Sequence, residues 1–311
     1  MKKTQRIILD CDPGHDDAIA IILAAAKNNP LEIEAITTVS GNVGIEKTTL
    51  NALKIVDLLG LDVPVAKGSE RPMVRRMETA GEIHGDTGMD GPDLPENPKA
   101  SIIDQHAVDL IIEKVLAYPN EMILVPTGPL TNIAMAMVKE PKIIPMIKEV
   151  VIMGGGTFGN WTPTAEFNIF VDAEAARIVF ESGAPIALFG LDVTHQAVAT
   201  DEVVATINDI DNHVANFVSD LLEFFGQSYE DYFNFDGPPI HDACTVAYLI
   251  DPTLFTFEKV HVDVETSGEF TYGTTSVDLL HKTEGNPQVN FATQLDKPAF
   301  WEMVMETLKT Y

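Results

Sequence analysis

Two cysteines in 311 residues, Cys11 and Cys244, cannot build a disulfide scaffold and suit a reducing compartment, where both serve as small buried residues. Basic residues are also scarce. Twenty Lys and Arg against 47 Asp and Glu leave a formal charge of −27, and no Lys/Arg cluster stands out that could follow a phosphate backbone. Nucleic acid is thereby excluded, and small molecules or cations are the expected partners. No apolar stretch approaches the roughly 20 residues of a membrane span; the longest, 18–26, is far shorter. Met1-Lys2-Lys3 has the charge of a signal peptide, but Ile7-Ile8-Leu9 runs directly into Asp10 and Asp12, which is too short for a cleavable apolar region. The chain is expected to stay in the cytoplasm, away from membranes. Apolar residues nevertheless make up 45% of the sequence, enough for a large core, so a disordered, collagen-like or coiled-coil chain is ruled out.

β-branched runs alternate with helical periodicity from the start. Strands are expected at 6–9, 33–39, 64–66, 122–125, 150–153 and 186–189, with helices at 16–27, 44–59, 107–116, 131–138 and 173–180. This alternation predicts an α/β fold: an open, mostly parallel, Rossmann-like sheet with helices on both faces, joined by right-handed crossovers. Ligands in such folds lie beyond the carboxyl ends of the strands. Residues 1–311 read as one domain. The last part returns to strands at 260–264 and 289–295 and closes with a helix at 298–308. Two segments, 68–100 and 224–239, resist assignment and are expected to be active-site loops, the first rich in Gly and Pro, the second aromatic and acidic.

The sharpest motif is Asp10-Cys11-Asp12-Pro13-Gly14-His15-Asp16-Asp17. In extended backbone Asp10 and Asp12 share a side, Pro13-Gly14 turns the chain, and Asp16-Asp17 open a helix. One or two acids at a helix N-terminus are ordinary dipole partners. Four within eight residues repel one another unless protons or a cation neutralise them, and oxygen donors without Cys or paired His favour Ca2+ or Mg2+. Other predicted strand ends supply Ser40-Gly41-Asn42 and Thr127-Gly128-Pro129-Leu130-Thr131-Asn132, where Thr127 offers a backbone oxygen and Thr131 a helix cap. Gly154-Gly155-Gly156 suggests a phosphate cradle but lacks the G-x-G-x-x-G spacing. Asn160, Glu166 and Asn168 fall in one loop suited to a polyol, and His241-Asp242 begins an apolar helix. His106, His195, His213, His261 and His281 read as structural or surface residues.

Together these segments resemble the nucleoside hydrolase family, the inosine-uridine-preferring N-ribohydrolases, over nearly the whole chain. The D-x-D-P-G-x-D-D signature stands at 10–17, with further matches at 125–132, 153–156, 165–169 and 241–244. The resemblance implies hydrolysis of the N-glycosidic bond of ribonucleosides, one Ca2+ per chain and a homo-oligomer, tetramer or dimer. It implies that Asp12, Asp17, the Thr127 carbonyl and Asp242 hold the metal, with Asp12 also the base that deprotonates water. Asp16, Asn42 and Asn168 then contact ribose hydroxyls, Asn160 and Glu166 the 5′-hydroxyl, and His241 is the acid for the leaving base. His84 matches a histidine on a mobile lid, and Tyr229 lies in the second flap. Segments 14–16, 84–92 and 162–168 are most similar to bacterial pyrimidine-preferring members, which suggests uridine and cytidine; the 225–235 segment is closer to broad-specificity members, which adds inosine. The rival readings are a D-x-D phosphatase, disfavoured by Gly14 where a small β-branched residue is wanted, and a non-catalytic ribose-binding protein, disfavoured by the intact Asp12, Asp17 and Asp242.

Overall fold

The computed structural model describes residues 4–233, 235–283 and 287–311. The leader-like Met1-Lys2-Lys3 and, within the expected second loop, Asn234 lie outside the described residues. Eight strands form the main sheet in the order β3 (Val65–Lys67), β2 (Leu31–Thr38), β1 (Gln5–Cys11), β4 (Met122–Pro126), β5 (Glu149–Met153), β6 (Ile186–Phe189), β10 (Val289–Leu295), β7 (Phe255–Val260). All neighbours run parallel except β10 and the edge strand β7. The expected strand at 260–264 is therefore two elements. Val260 ends β7, and β8 (Val262–Val264) leaves the sheet to pair antiparallel with β9 (Thr275–Val277) in a separate ribbon.

The central strands are buried on both faces, so side chains of alternating direction feed two cores. Ile7, Leu9, Ile123, Val125, Val151 and Phe189 enter one, with α1 (His15–Ala25) and α2 (Ile45–Leu59). Ile8, Met122, Leu124, Val150, Ile152 and Leu188 enter the other. On that side lie α4 (Ala107–Ala117), α5 (Thr131–Lys139) and α7 (Ala173–Phe180); the single turn α3 (Gly81–His84) precedes α4 in the chain, and the short α6 (Phe167–Val171) precedes α7. The chain continues through α8 (Leu191–Thr194), α9 (Asp201–Asn208), α10 (His213–Phe233), α11 (Ala243–Ile250) and α12 (Lys297–Leu308). No helix among the described residues is long and apolar enough to cross a membrane.

Two local expectations are corrected. The segment 224–239 is helical as far as Phe233, because Phe225 and Tyr229 recur four residues apart and both are buried at the end of α10. Thr131 does not cap α5; its hydroxyl donates to Asp172 Oδ2 at 2.6 Å, and Asp172 in turn caps α7 by accepting from the Ala175 N–H.

Strand order reverses between β1 and β4, and this is where the chain gathers its polar ends. One residue ties the region together. Asn132, fully buried, donates through Nδ2 to Asp10 Oδ1 at 2.8 Å and to the Thr38 carbonyl at 2.9 Å, and accepts from the Ser69 N–H at 2.9 Å. It thus joins the ends of β1 and β2 to the start of the 68–100 segment. Asn132→Ala should take a hydrogen-bond partner from three buried polar groups and cost about 2–4 kcal/mol, measured as a lower urea midpoint at unchanged m.

Candidate active site

Beyond the switch point lies a cavity of about 240 Å3, lined by Asp16, Asn42, His84, Thr127, Asn160, Trp161, Glu166, Asn168, Phe225, Tyr229, Tyr232, His241 and Asp242 among others. The acidic motif forms its floor. Asp16, Asp17 and Asp242 are buried and bring carboxylate oxygens within 4.8 Å of one another. Asp12 is wedged between two glycines: a Cβ on Gly41 would overlap its Oδ2, and one on Gly128 its Oδ1. Its Oδ2 accepts the Asn42 N–H at 2.7 Å, whereas its buried Oδ1 has no hydrogen-bond partner among the described residues. Asp17, in the first turn of α1, accepts the Gly14 N–H at 3.0 Å and the Thr127 hydroxyl at 2.8 Å.

Asp10 departs from the expected convergence. Its Oδ1 accepts from the Thr37 hydroxyl at 2.6 Å and from Asn132, so it braces β1 against β2 and α5 rather than joining the cluster of Asp16, Asp17 and Asp242. Burial pushes its carboxyl up to about 6, against those two hydrogen bonds.

The remaining residues use one face to anchor themselves. Asn168 Nδ2 donates to the Thr127 carbonyl at 2.7 Å, and the Phe167 N–H donates to Asn160 Oδ1 at 3.0 Å. Glu166 caps α6: it accepts the Asn168 N–H at 3.0 Å, the Ile169 N–H at 3.1 Å and the Gly155 N–H at 2.8 Å. The glycine run 154–156 is therefore a holder for Glu166 and, through the Gly156 N–H, for the Thr275 hydroxyl, rather than a phosphate cradle. Gly155 has φ +68°, a conformation that favours glycine.

Beside Asp242 in the chain, His241 is held at both ring nitrogens, Nδ1 by the Thr194 hydroxyl and Nε2 by the Tyr229 hydroxyl, each at 2.8 Å. Burial lowers the His241 pKa well below the usual imidazole value and raises that of Tyr229. His84 comes from the single turn α3 and contacts His15 of α1. His195, expected to be structural, packs its ring 5.5 Å from that of His241 and shares Phe235 with Tyr229. Asn132, Thr194 and the two glycines around Asp12 carry no motif of their own in the sequence; Gly41, Gly128 and Asn132 are signalled only by their place after strands, and Thr194 by nothing local.

The set of oxygen donors fits a hard divalent cation: buried carboxylates, an unpartnered Asp12 oxygen, and no Lys or Arg lining the cavity among the described residues.

The comparisons agree with this geometry. Residues 7–302 match the family model described as inosine-uridine preferring nucleoside hydrolase. The chain belongs to the inosine-uridine preferring nucleoside hydrolase family. A pyrimidine-specific ribonucleoside hydrolase RihA from Shewanella woodyi is 47% identical, with 99% of each chain covered. The inosine-uridine preferring nucleoside hydrolase of Leishmania major is 46% identical, with 98% of each chain covered. Among solved structures, the purine-preferring ribonucleoside hydrolase from Gardnerella vaginalis superposes with a TM-score of 0.91 at 35% identity over 98% of each chain. The protein is thus a ribonucleoside hydrolase, an enzyme that cleaves N-glycosyl bonds, and the D-x-D phosphatase reading falls.

The buried acids make the metal-free nucleoside hydrolase sensitive to alkali. Burial, with Asp17 next, lifts Asp16 to about 8, and burial lifts Glu166 to about 7. Groups with raised carboxyl pKa hold protons in the folded state that the unfolded chain has released, so they lose stability as pH rises through those values. The buried histidines His15, His84, His195 and His241, with lowered pKa, act in the opposite direction, but only below about pH 6.5, their unfolded value. Between pH 6.5 and 8, the melting temperature of chelator-treated protein should therefore fall, and a divalent cation should reverse the fall; differential scanning calorimetry reads both.

Proposed function

We propose that this nucleoside hydrolase binds one Ca2+ per chain and cleaves uridine and cytidine, with inosine as a further substrate. The observation that carries the reading is one cavity that brings buried carboxylates together with the His241–Tyr229 pair. Asp12, Asp17, Asp242 and the Thr127 carbonyl hold the cation, and Asp16 lies against the same cluster. When bound, Ca2+ offsets the carboxylate repulsion and lowers the pKa of water.

Asp12 takes a proton from water as its oxygen attacks the anomeric carbon. The bond from that carbon to the base nitrogen breaks, and its electron pair leaves with the base. The sugar passes through an oxocarbenium-like state, which the negative floor stabilises. Asp16, Asn42 and Asn168 bind the ribose hydroxyls; the hydrogen bonds already described leave Asn168 its Oδ1 for the sugar. Asn160 and Glu166 take the 5′-hydroxyl, Asn160 through the Nδ2 that its contact with Phe167 leaves over.

Both nitrogens of His241 are engaged, so its proton reaches the base by way of the Tyr229 hydroxyl or after that bond opens. His84 faces the base from the 68–100 segment. That segment and the end of α10 close over the sugar and exclude competing water. The pyrimidine assignment is supported by the 47% relative named pyrimidine-specific, and the inosine assignment by the 46% relative named inosine-uridine preferring.

Incubation with uridine, cytidine, inosine and sugar phosphates, assayed for free ribose, base and phosphate, tests the substrates; phosphate release without base release would overturn the reading. Asp12→Ala should abolish turnover of every nucleoside. His241→Ala should lower kcat for inosine by about 100- to 10,000-fold and for uridine by less. An unchanged inosine kcat would remove His241 from the acid role. Metal analysis of active protein should find one Ca2+ per chain, and active protein without a divalent ion would overturn that assignment.

A further inference from the structure

The wall of the cavity contains a chain of hydrogen bonds whose direction is fixed by chemistry. His15, in the first turn of α1, is fully buried and stacks parallel on Phe224 and Phe225, with ring centroids 5.4 and 4.9 Å away. Its Nε2 lies 2.8 Å from the backbone carbonyl oxygen of Asp90, within the 68–100 segment. A carbonyl has no proton to give, so the hydrogen is on His15 Nε2. In a neutral imidazole the other nitrogen then carries only a lone pair. That nitrogen, Nδ1, lies 3.2 Å from Nδ1 of His84, so the hydrogen of this second contact belongs to His84. Both rings are deep among aromatic side chains, where the charged form is disfavoured.

The consequence falls on the far side of the His84 ring. His84 borders the cavity, and no hydrogen bond within the described residues takes up its Nε2. Nor is Nε2 one of the sealed, partnerless polar atoms of the core, so it opens toward the cavity. With Nδ1 protonated, Nε2 can only accept. We propose that His15, locked by the Asp90 carbonyl, is a positioning residue that fixes His84 as the Nδ1–H tautomer and thereby makes its Nε2 an obligatory acceptor for an N–H of the nucleobase. The inference rests on the reading of the cavity as a nucleoside site and adds a selection rule to it. Uracil presents N3–H and cytosine an exocyclic amine; a base edge with only carbonyl oxygens or an N-methyl group is refused. His15 governs this without touching the base, since the partner of one ring nitrogen decides the role of the other.

The decisive measurement uses the full chain loaded with Ca2+ and labelled with 15N at histidine, His84→Gln identifying the His84 signals. Ring-nitrogen shifts should show His84 protonated at Nδ1 and not at Nε2, with the reverse in His15. His84 protonated at Nε2 in the wild type would overturn the inference, whatever the stability of any variant. In His15→Leu the His84 hydrogen should move to Nε2. Kinetics give a second readout. The wild type should prefer uridine over N3-methyluridine by about 10- to 100-fold in kcat/KM, and His15→Leu should shrink that preference mainly through a higher KM for uridine. A structural role alone would lower both substrates together, and an unchanged ratio in His15→Leu would overturn the proposal. If the His84 tautomer is as inferred but the wild type leaves uridine intact, the substrate reading fails and the tautomer assignment stands.

Discussion

Four buried carboxylates with no Lys or Arg partner among the described residues are the constraint on which the rest of this fold depends. Asp12, Asp16, Asp17 and Asp242 come from two sequence regions more than two hundred residues apart, and burial raises the pKa of each. Such a cluster is tolerable only if protons, N–H donors or a cation answer it. The chain supplies donors: the Gly14 and Asn42 N–H groups, the Thr127 hydroxyl, and the start of α11 against Asp16. It also removes side chains where the acids need room. Gly41 and Gly128 close on Asp12 from two strand ends, so the position of that carboxylate is set by backbone on both sides. A carboxylate held this way has little freedom to turn.

A second consequence is economy of polar atoms. Glu166 meets three backbone N–H groups, and Asn168 and Asn160 each commit one end of the amide to the scaffold. The anchored end fixes the direction of the free end. A flexible loop carrying the same residues would have to order them on binding and give up affinity for it. Here the ordering cost is met on folding, by α6, the glycine run and the ends of β4 and β5.

Much of this was legible in the sequence because it is periodic or crowded. Runs such as Ile7-Ile8-Leu9 and Val150-Val151-Ile152 announce strands buried on both faces, and four acids within eight residues announce a floor that needs neutralising. What could not be read concerns who meets whom across the sheet. Asp10 looked like a fourth member of the floor because alternation places it beside Asp12; Thr37 and Asn132, 27 and 122 residues away, claim it instead. The aromatic stretch after Phe224 looked like a flap because Tyr and acidic residues are dense there, yet Phe225 and Tyr229 bury one face and carry the helix through to Phe233. The glycine run suggested anion binding, and only tertiary structure reveals that its anion is Glu166. The pairing of His15 with His84 joins residues 69 apart and leaves no local trace at all.

The cavity is built from two kinds of element. The floor rises from strand ends and their immediate turns, whose positions the sheet dictates; any change there disturbs backbone, glycines and buried charges together. The rest of the lining comes from α3 and the remainder of the 68–100 segment, from the end of α10, which packs on α1, α3 and α9, and from His241 at the start of α11. Relatives named for pyrimidines and for inosine and uridine are nearly equally identical to this chain, and one named for purines superposes over almost its whole length. Global similarity therefore says little about the base. The discriminating difference has to be sought among a few wall residues and, more finely, in which of their atoms carry hydrogen: two histidines of the same position and different tautomer would present opposite demands to the same ring.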